Sequence, residues 1–205
     1  MLRPLVDDES ELDALAELEG ATSSRLMGQN RGIGSVPAHE FVYGVPHAAF
    51  INASFAYAKP RQPNRFNGAD RGAWYAAISV ETCLAEVVFH MTDALAKAGD
   101  FNATVEYAEL FASMAGEFVD LRNVRPWPPC LSSDISIGYP AGNVLADATR
   151  AEGLNGIVYP SIRHEGGTCL VALWPHVIQS VAQGEIYRIV WSGEPKPAVS
   201  RVTAE

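Results

Sequence analysis

The sequence predicts an α+β fold: a single domain with a mixed, largely antiparallel split sheet and flanking helices. Three observations lead there. Segments with strand-like alternation outnumber segments with helical spacing, and several are joined by short turns, as in an antiparallel sheet. No stretch repeats, and no composition break separates a second domain. The chain has 205 residues, 48% of them hydrophobic and 19% charged, enough to bury one sizeable core and too apolar for disorder.

The elements follow in order. Asp7 and Asp8 precede a short amphipathic helix, roughly Glu9 to Glu19, with Leu12, Leu15, Ala16 and Leu18 inward and Gly20 as its stop. The stretch ATSSRLMGQNRGIGSVPAHE, which holds Arg25 and Arg31, is punctuated by Gly, Ser and Pro and reads as loop. Its Gly32-Ile33-Gly34 is not a dinucleotide fingerprint, because the third glycine and the preceding strand are missing. Phe41 to Tyr57 is aromatic and small-residue rich, a buried strand followed by a short helix or extended segment. KPRQPN is a proline-rich loop that delivers Arg65.

Trp74 to Ile78 has the aromatic and branched content of a strand. Ser79 is an N-cap, Glu81 adds charge to the first helical turn, and a helix runs from about Val80 toward Ala98, with Gly99 just past its end. Leu84, Val87, Val88, Met91 and Leu95 form its core stripe; Glu86 and His90, one turn apart, share another face.

NATVEYAEL and EFVDLR alternate like strands. RPWPPCLSSDISIGYP carries too many prolines for regular structure. AGNVLADATRAEG is a helix with Val144, Leu145 and Ala148 inward and Gly153 as its stop. GIVYPSIR is a buried strand, HEGG a turn, TCLVALW a strand, HVIQSVAQ ambiguous, and GEIYRIVW the last strand. The expected division is an N-terminal helical segment, 1–20, a principal domain, 21–192, and a flexible tail, 193–205.

Composition excludes several function classes. The formal net charge of −9 argues against a duplex nucleic-acid partner, although a few local arginines can still bind a small anion. No apolar run has the length of a membrane span, and the N-terminus lacks the basic start and apolar run of a signal peptide, so a cytoplasmic location is expected. Cys83, Cys130 and Cys169 form no CxxC pair, which suits a reducing compartment and no zinc ribbon.

Arg65, Tyr75 and Glu86 lie on three consecutive elements that must pack together, and mark the rim of a site. Taken singly each has a plainer role: Glu86 as a solvated helix carboxylate, Arg65 in a surface ion pair, Tyr75 and His90 in the core. The ordered set is more specific. NRFN, then GAWYAA, then ETCLAEVVFH, then GIVYPSIRHEGGTCLVAL resembles the RES-domain family, named for an Arg, a Glu and a Ser. Arg65, Tyr75, Glu86, His90 and Ser161 stand at the positions of the family's Arg, Tyr, Glu, His and Ser, and the Arg25 of SSRL resembles a further family arginine. Phe66 departs from the family's tryptophan but keeps an aromatic ring.

The resemblance implies a sheet split around an NAD+ cleft, similar to the ADP-ribosyltransferase fold. It implies a bacterial toxin that breaks the nicotinamide–ribose bond of NAD+, passing ADP-ribose to water, phosphate or a protein side chain. It also implies an adjacent Xre-like helix-turn-helix antitoxin that covers the site, in an oligomeric complex. NAD+ is then a substrate; no tightly bound cofactor and no metal is expected. In that chemistry Glu86 stabilises the oxocarbenium-like ribose, Arg65 holds the pyrophosphate helped by Arg25 or Arg163, and Tyr75 stacks on the nicotinamide. Ser161 bonds the carboxamide or a ribose hydroxyl, His90 steadies Glu86, and Asn67 joins the binding loop. Two other classes compete: a metal-dependent hydrolase with Glu86 and His90 plus His164 or His176 as ligands, and a non-catalytic binding module.

Overall fold

The computed structural model describes residues 36–56 and 63–203. The expected helix of residues 9–19, the arginines at 25 and 31 and most of the KPRQPN loop lie outside the described residues.

The architecture is α+β, with two separate sheets and three α-helices among the described residues. Helix α1 spans Ala48–Ala56, and strand β1 spans Trp74–Ala77. Helix α2 covers Val80–Ala98, and the next two strands are β2, Asn102–Met114, and β3, Phe118–Asp120. Helix α3, Ile135–Ala151, leads to β4, Gly156–Pro160, and β5, Thr168–Ala172. The chain closes with β6, Ile178–Ser192, and β7, Ala198–Val202.

The first sheet has the order β1-β5-β4-β3. Its β1–β5 and β5–β4 pairs are antiparallel, and β4 runs parallel to β3 because α3 makes the crossover between them. The second sheet, β2-β6-β7, is antiparallel throughout. One apolar cluster packs Phe66, Leu131, Ala146, Ile157, Val171 and Leu173 on the first sheet, and a second packs Val36, Ile51, Phe55, Trp74 and Val177 around α1.

Helix α2 ties the two sheets together. Ser79 caps it by accepting from the Thr82 N–H, and Gly99 ends it in the left-handed conformation, at φ 74°. At its start, Thr82 is buried and its Oγ1 lies 2.8 Å from His164 Nδ1 in the loop after β4. Near its end, Thr92 Oγ1 accepts a 3.1 Å hydrogen bond from the buried indole of Trp191 on β6. The stripe Leu84, Val87, Val88, Met91 and Leu95 is only half-buried, because the helix spans a cleft and does not cap a filled core.

Four expectations are corrected. Residues Phe41 to His47 form turns and no strand, and only the helix α1 follows. The helix expected at AGNVLADATRAEG begins earlier, at Ile135, because Asp134 caps it by accepting from Ser136 N–H at 2.8 Å; Pro140 sits inside and removes one backbone bond. Its buried face is Gly138, Gly142, Ala146 and Thr149, with Leu145 half-buried beside them as expected, while Val144 and Ala148 are exposed: the inward stripe is set by glycine contacts that hydropathy does not weigh. IQSVAQ, after a 3-10 turn that takes His176 and Val177, joins GEIYRIVW in one long strand, with a register shift where Gly184 and Glu185 meet Glu109, and the expected flexible tail supplies a further strand, β7, whose backbone completes the edge of β6.

Candidate active site

Arg65, Tyr75, Glu86, His90 and Arg163 line one cavity of about 330 Å3, walled also by Asn64, Tyr107, Tyr139, Tyr159 and Cys169. A volume of this size is in the range of small-ligand sites.

Arg65 is 8% exposed and held from three sides. Its Nη1 donates to the carbonyls of Cys130, at 2.6 Å, and Ser132, at 2.9 Å, and its guanidinium lies over the Tyr139 ring. The remaining guanidinium N–H groups have no hydrogen-bond partner among the described residues. Two glycines of α3 make room for it. A Cβ on Gly142 would stand 2.0 Å from the Arg65 carbonyl oxygen, and one on Gly138 would stand 2.7 Å from Nη1. Asn143, beside them, donates to the carbonyls of Asn64 and Arg65.

Tyr75 serves this loop as well as the cavity. Its hydroxyl donates to Asn67 Oδ1 and accepts from the Phe66 N–H, both at 2.9 Å. Burial pushes that hydroxyl far above its ordinary pKa, so it stays protonated. Asn67 itself is buried and gives its Nδ2 to the Gly68 carbonyl, so it shapes the loop, and Asn64 takes the place on the cavity wall expected of Asn67.

Glu86 is held by Ser161. The Ser161 hydroxyl donates to Glu86 Oε1 at 2.8 Å, and the Cys169 thiol lies 3.7 Å from the same oxygen. Ser161 Oγ in turn accepts the backbone N–H groups of Arg163, at 3.1 Å, and His164, at 3.0 Å. The single proton of the Ser161 hydroxyl thus points to the carboxylate. His90 was expected to steady Glu86. It is exposed on the same cavity wall and makes no hydrogen bond to the carboxylate. Partial desolvation against the cavity wall, with Arg163 and Arg65 nearby, holds its pKa below the ordinary value against the opposing charges of Glu86 and Asp93, which favours the neutral ring.

Arg163 supplies a second cation. Its guanidinium stacks 3.5 Å from the centre of the Phe89 ring, and burial together with Arg65 lowers its pKa. Two guanidinium groups, a carboxylate and four tyrosines thus face one small space. Burial also raises the Cys169 thiol to about 12, so it is present as a neutral thiol beside Glu86.

The arrangement accords with a family match. The RES domain model matches residues 41–192. The chain belongs to the RES-domain family. It is also similar to "Uncharacterized protein y4oC" of Sinorhizobium fredii (strain NBRC 101917 / NGR234), with 26% identity over 185 residues, 90% of this chain and 74% of that protein. Among the described residues of this RES-domain protein, no helix is long and apolar enough to cross a membrane.

Arg25, the further arginine suggested by the sequence, lies outside the described residues. Sequence reasoning missed Asn64, Tyr139, Gly138, Gly142 and Cys169. The paired small residues one turn apart on α3 were the available signal, since two glycines in a helix mark a close approach. His164 Nδ1 is engaged by Thr82, His176 stands by Asn155 and Trp174, and no group of three or more His, Cys, Asp or Glu among the described residues is placed to hold a metal ion.

Proposed function

We propose that this protein breaks the N-glycosidic bond between nicotinamide and ribose in NAD+. The observation that carries the reading is the convergence of Arg65, Arg163 and Glu86 on one cavity in a RES-domain chain. Two guanidinium groups match the charge of a pyrophosphate, and the free N–H edge of Arg65 can take two of its oxygens side by side. In the reaction the bond from C1′ to the ring nitrogen breaks, and its electron pair leaves with nicotinamide, neutralising that ring. Positive charge builds on the ribose, where the carboxylate of Glu86, fixed by Ser161, stabilises it. An acceptor oxygen then bonds to C1′ and gives up its proton. Water, phosphate or a protein side chain can each supply that oxygen. Tyr75 offers a ring face to nicotinamide, and neutral His90 lines the wall without competing for the pyrophosphate.

In a cell, this activity depletes NAD+ and arrests growth, the behaviour of a toxin. Its natural control is a helix-turn-helix antitoxin of the Xre type that covers the cavity, with a carboxylate or C-terminus seated on Arg65.

The test is NAD+ loss and nicotinamide release by the purified protein, with and without phosphate. Glu86→Gln keeps the size and removes the charge, so turnover should fall by about two to three orders of magnitude with NAD+ affinity nearly unchanged. A folded Glu86→Gln protein that cleaves at the wild-type rate would sink the reading.

A further inference from the structure

A second, larger cavity of about 780 Å3 lies between α2, β1 and the second sheet. It shares six wall residues with the Arg65–Glu86 cavity: Tyr75, Ala76, Ala77, Cys83, Val87 and Tyr107. The two spaces therefore lie side by side along the same stretch of wall. We infer that the larger groove receives the nucleoside end of a dinucleotide whose pyrophosphate and scissile ribose occupy the smaller cavity. This deepens the NAD+ reading above and rests on it for the orientation of the ligand.

Size argues for two compartments. The 330 Å3 cavity is at the small end of ligand sites and suits one mononucleotide half, so the other half needs a separate space beside it. The groove provides one. Chemistry argues for a base. Tyr107 and Tyr187 are direct register partners on β2 and β6, so their rings stand side by side on the groove face. Phe111, 60% exposed, adds a third ring, and Ile78, 73% exposed, a further apolar wall. Large apolar side chains left open to water beside a site are best explained by a flat ligand that covers them. Alanines 76, 77, 108 and 112 keep the floor low enough for a ring to lie on it. The one charged residue on this wall is Glu109, so the groove seats an uncharged group and repels a phosphate.

The experiment measures binding of ADP-ribose and of ribose 5-diphosphate, which keeps both phosphates and lacks only the nucleoside, to the full chain by calorimetry. The wild type should bind ADP-ribose at least about tenfold more tightly, the scale of one stacked base. Ala108 is exposed and lines the groove, so Ala108→Trp fills the space without touching the core. It should bring ADP-ribose down to the affinity of ribose 5-diphosphate, and Phe111→Ala should remove part of the difference. Circular dichroism checks that both variants fold, and Phe111→Ala carries the test alone if Ala108→Trp does not. Equal wild-type affinities for the two ligands overturn the proposal. So do folded variants that bind ADP-ribose as the wild type does, the result expected if the groove serves an apolar protein segment. A wild type that binds ADP-ribose with this preference but leaves NAD+ intact removes the cleavage reading and leaves the groove assignment standing.

Discussion

Replacing Ser161 by alanine separates two accounts of this side chain. If Ser161 touched the ligand, its loss would raise KM. The geometry says that it holds Glu86 and the loop after β4. Ser161 is 6% exposed, and its hydroxyl makes a 2.8 Å bond to a carboxylate, worth about 1.5–3 kcal/mol. Alanine also leaves the Arg163 and His164 backbone N–H groups without their acceptor, which adds about 1 kcal/mol because both are only partly shielded from water. The sum is about 2–4 kcal/mol, or roughly 4–16 °C in Tm for a chain of this size. A freed Glu86 drifts from its position, and misplacement by about 1 Å can cost about a hundredfold in rate. Ser161→Ala should therefore lower kcat tenfold to a hundredfold, by about these factors, with KM for NAD+ changed less than about threefold. Ser161→Thr keeps the hydroxyl and should recover part of both losses. Thermal unfolding by circular dichroism and single-turnover kinetics read the two effects. A Ser161→Ala protein with unchanged Tm and kcat but a raised KM would refute the reasoning.

Two further outcomes follow from the same site. Gly142→Ala improves helix propensity by about 1 kcal/mol, yet its Cβ would meet the Arg65 backbone at 2.0 Å, so urea denaturation should show net destabilisation of about 1–3 kcal/mol; a stabilised variant would contradict the close approach. His90 should titrate below its ordinary 6.5 in a nuclear magnetic resonance titration. Because the unfolded chain then takes the proton first, its contribution to stability is constant above that value and is lost as pH falls through it toward the lowered folded pKa. His90→Gln should flatten that acid-side loss. A His90 that titrates at or above 6.5 in the ligand-free protein would overturn this.

Parts of the structure were legible because they depend on neighbours in sequence. Ser79 and Gly99 bound α2 as expected, since a cap and a left-handed glycine are local chemistry. Trp74–Ala77 is a strand, and Gly166 turns the HEGG segment at φ 77° for the same kind of reason. The start of α3 was hidden because Pro140 outweighed the Asp134 cap in a reading that counts prolines. The strand β7 was hidden because a partner strand, β6, supplies its hydrogen bonds, and its own residues are mostly exposed.

The sequence by itself determined which residues meet. Arg65, Tyr75, Glu86 and Ser161 were named through the resemblance of their short motifs to the RES-domain family, with Arg163 beside them. Only the tertiary structure decided how each one is held there. Ser161 turns its single proton toward Glu86, Asn67 and the Tyr75 hydroxyl turn inward to build the Arg65 loop, and Gly138 and Gly142 give Arg65 its space. Hydrogen-bond direction and steric contact arise between elements distant in sequence, α2 with the loop after β4, and α3 with the loop before β1. No local pattern encodes them, because each depends on where two separately folded segments come to lie against one another.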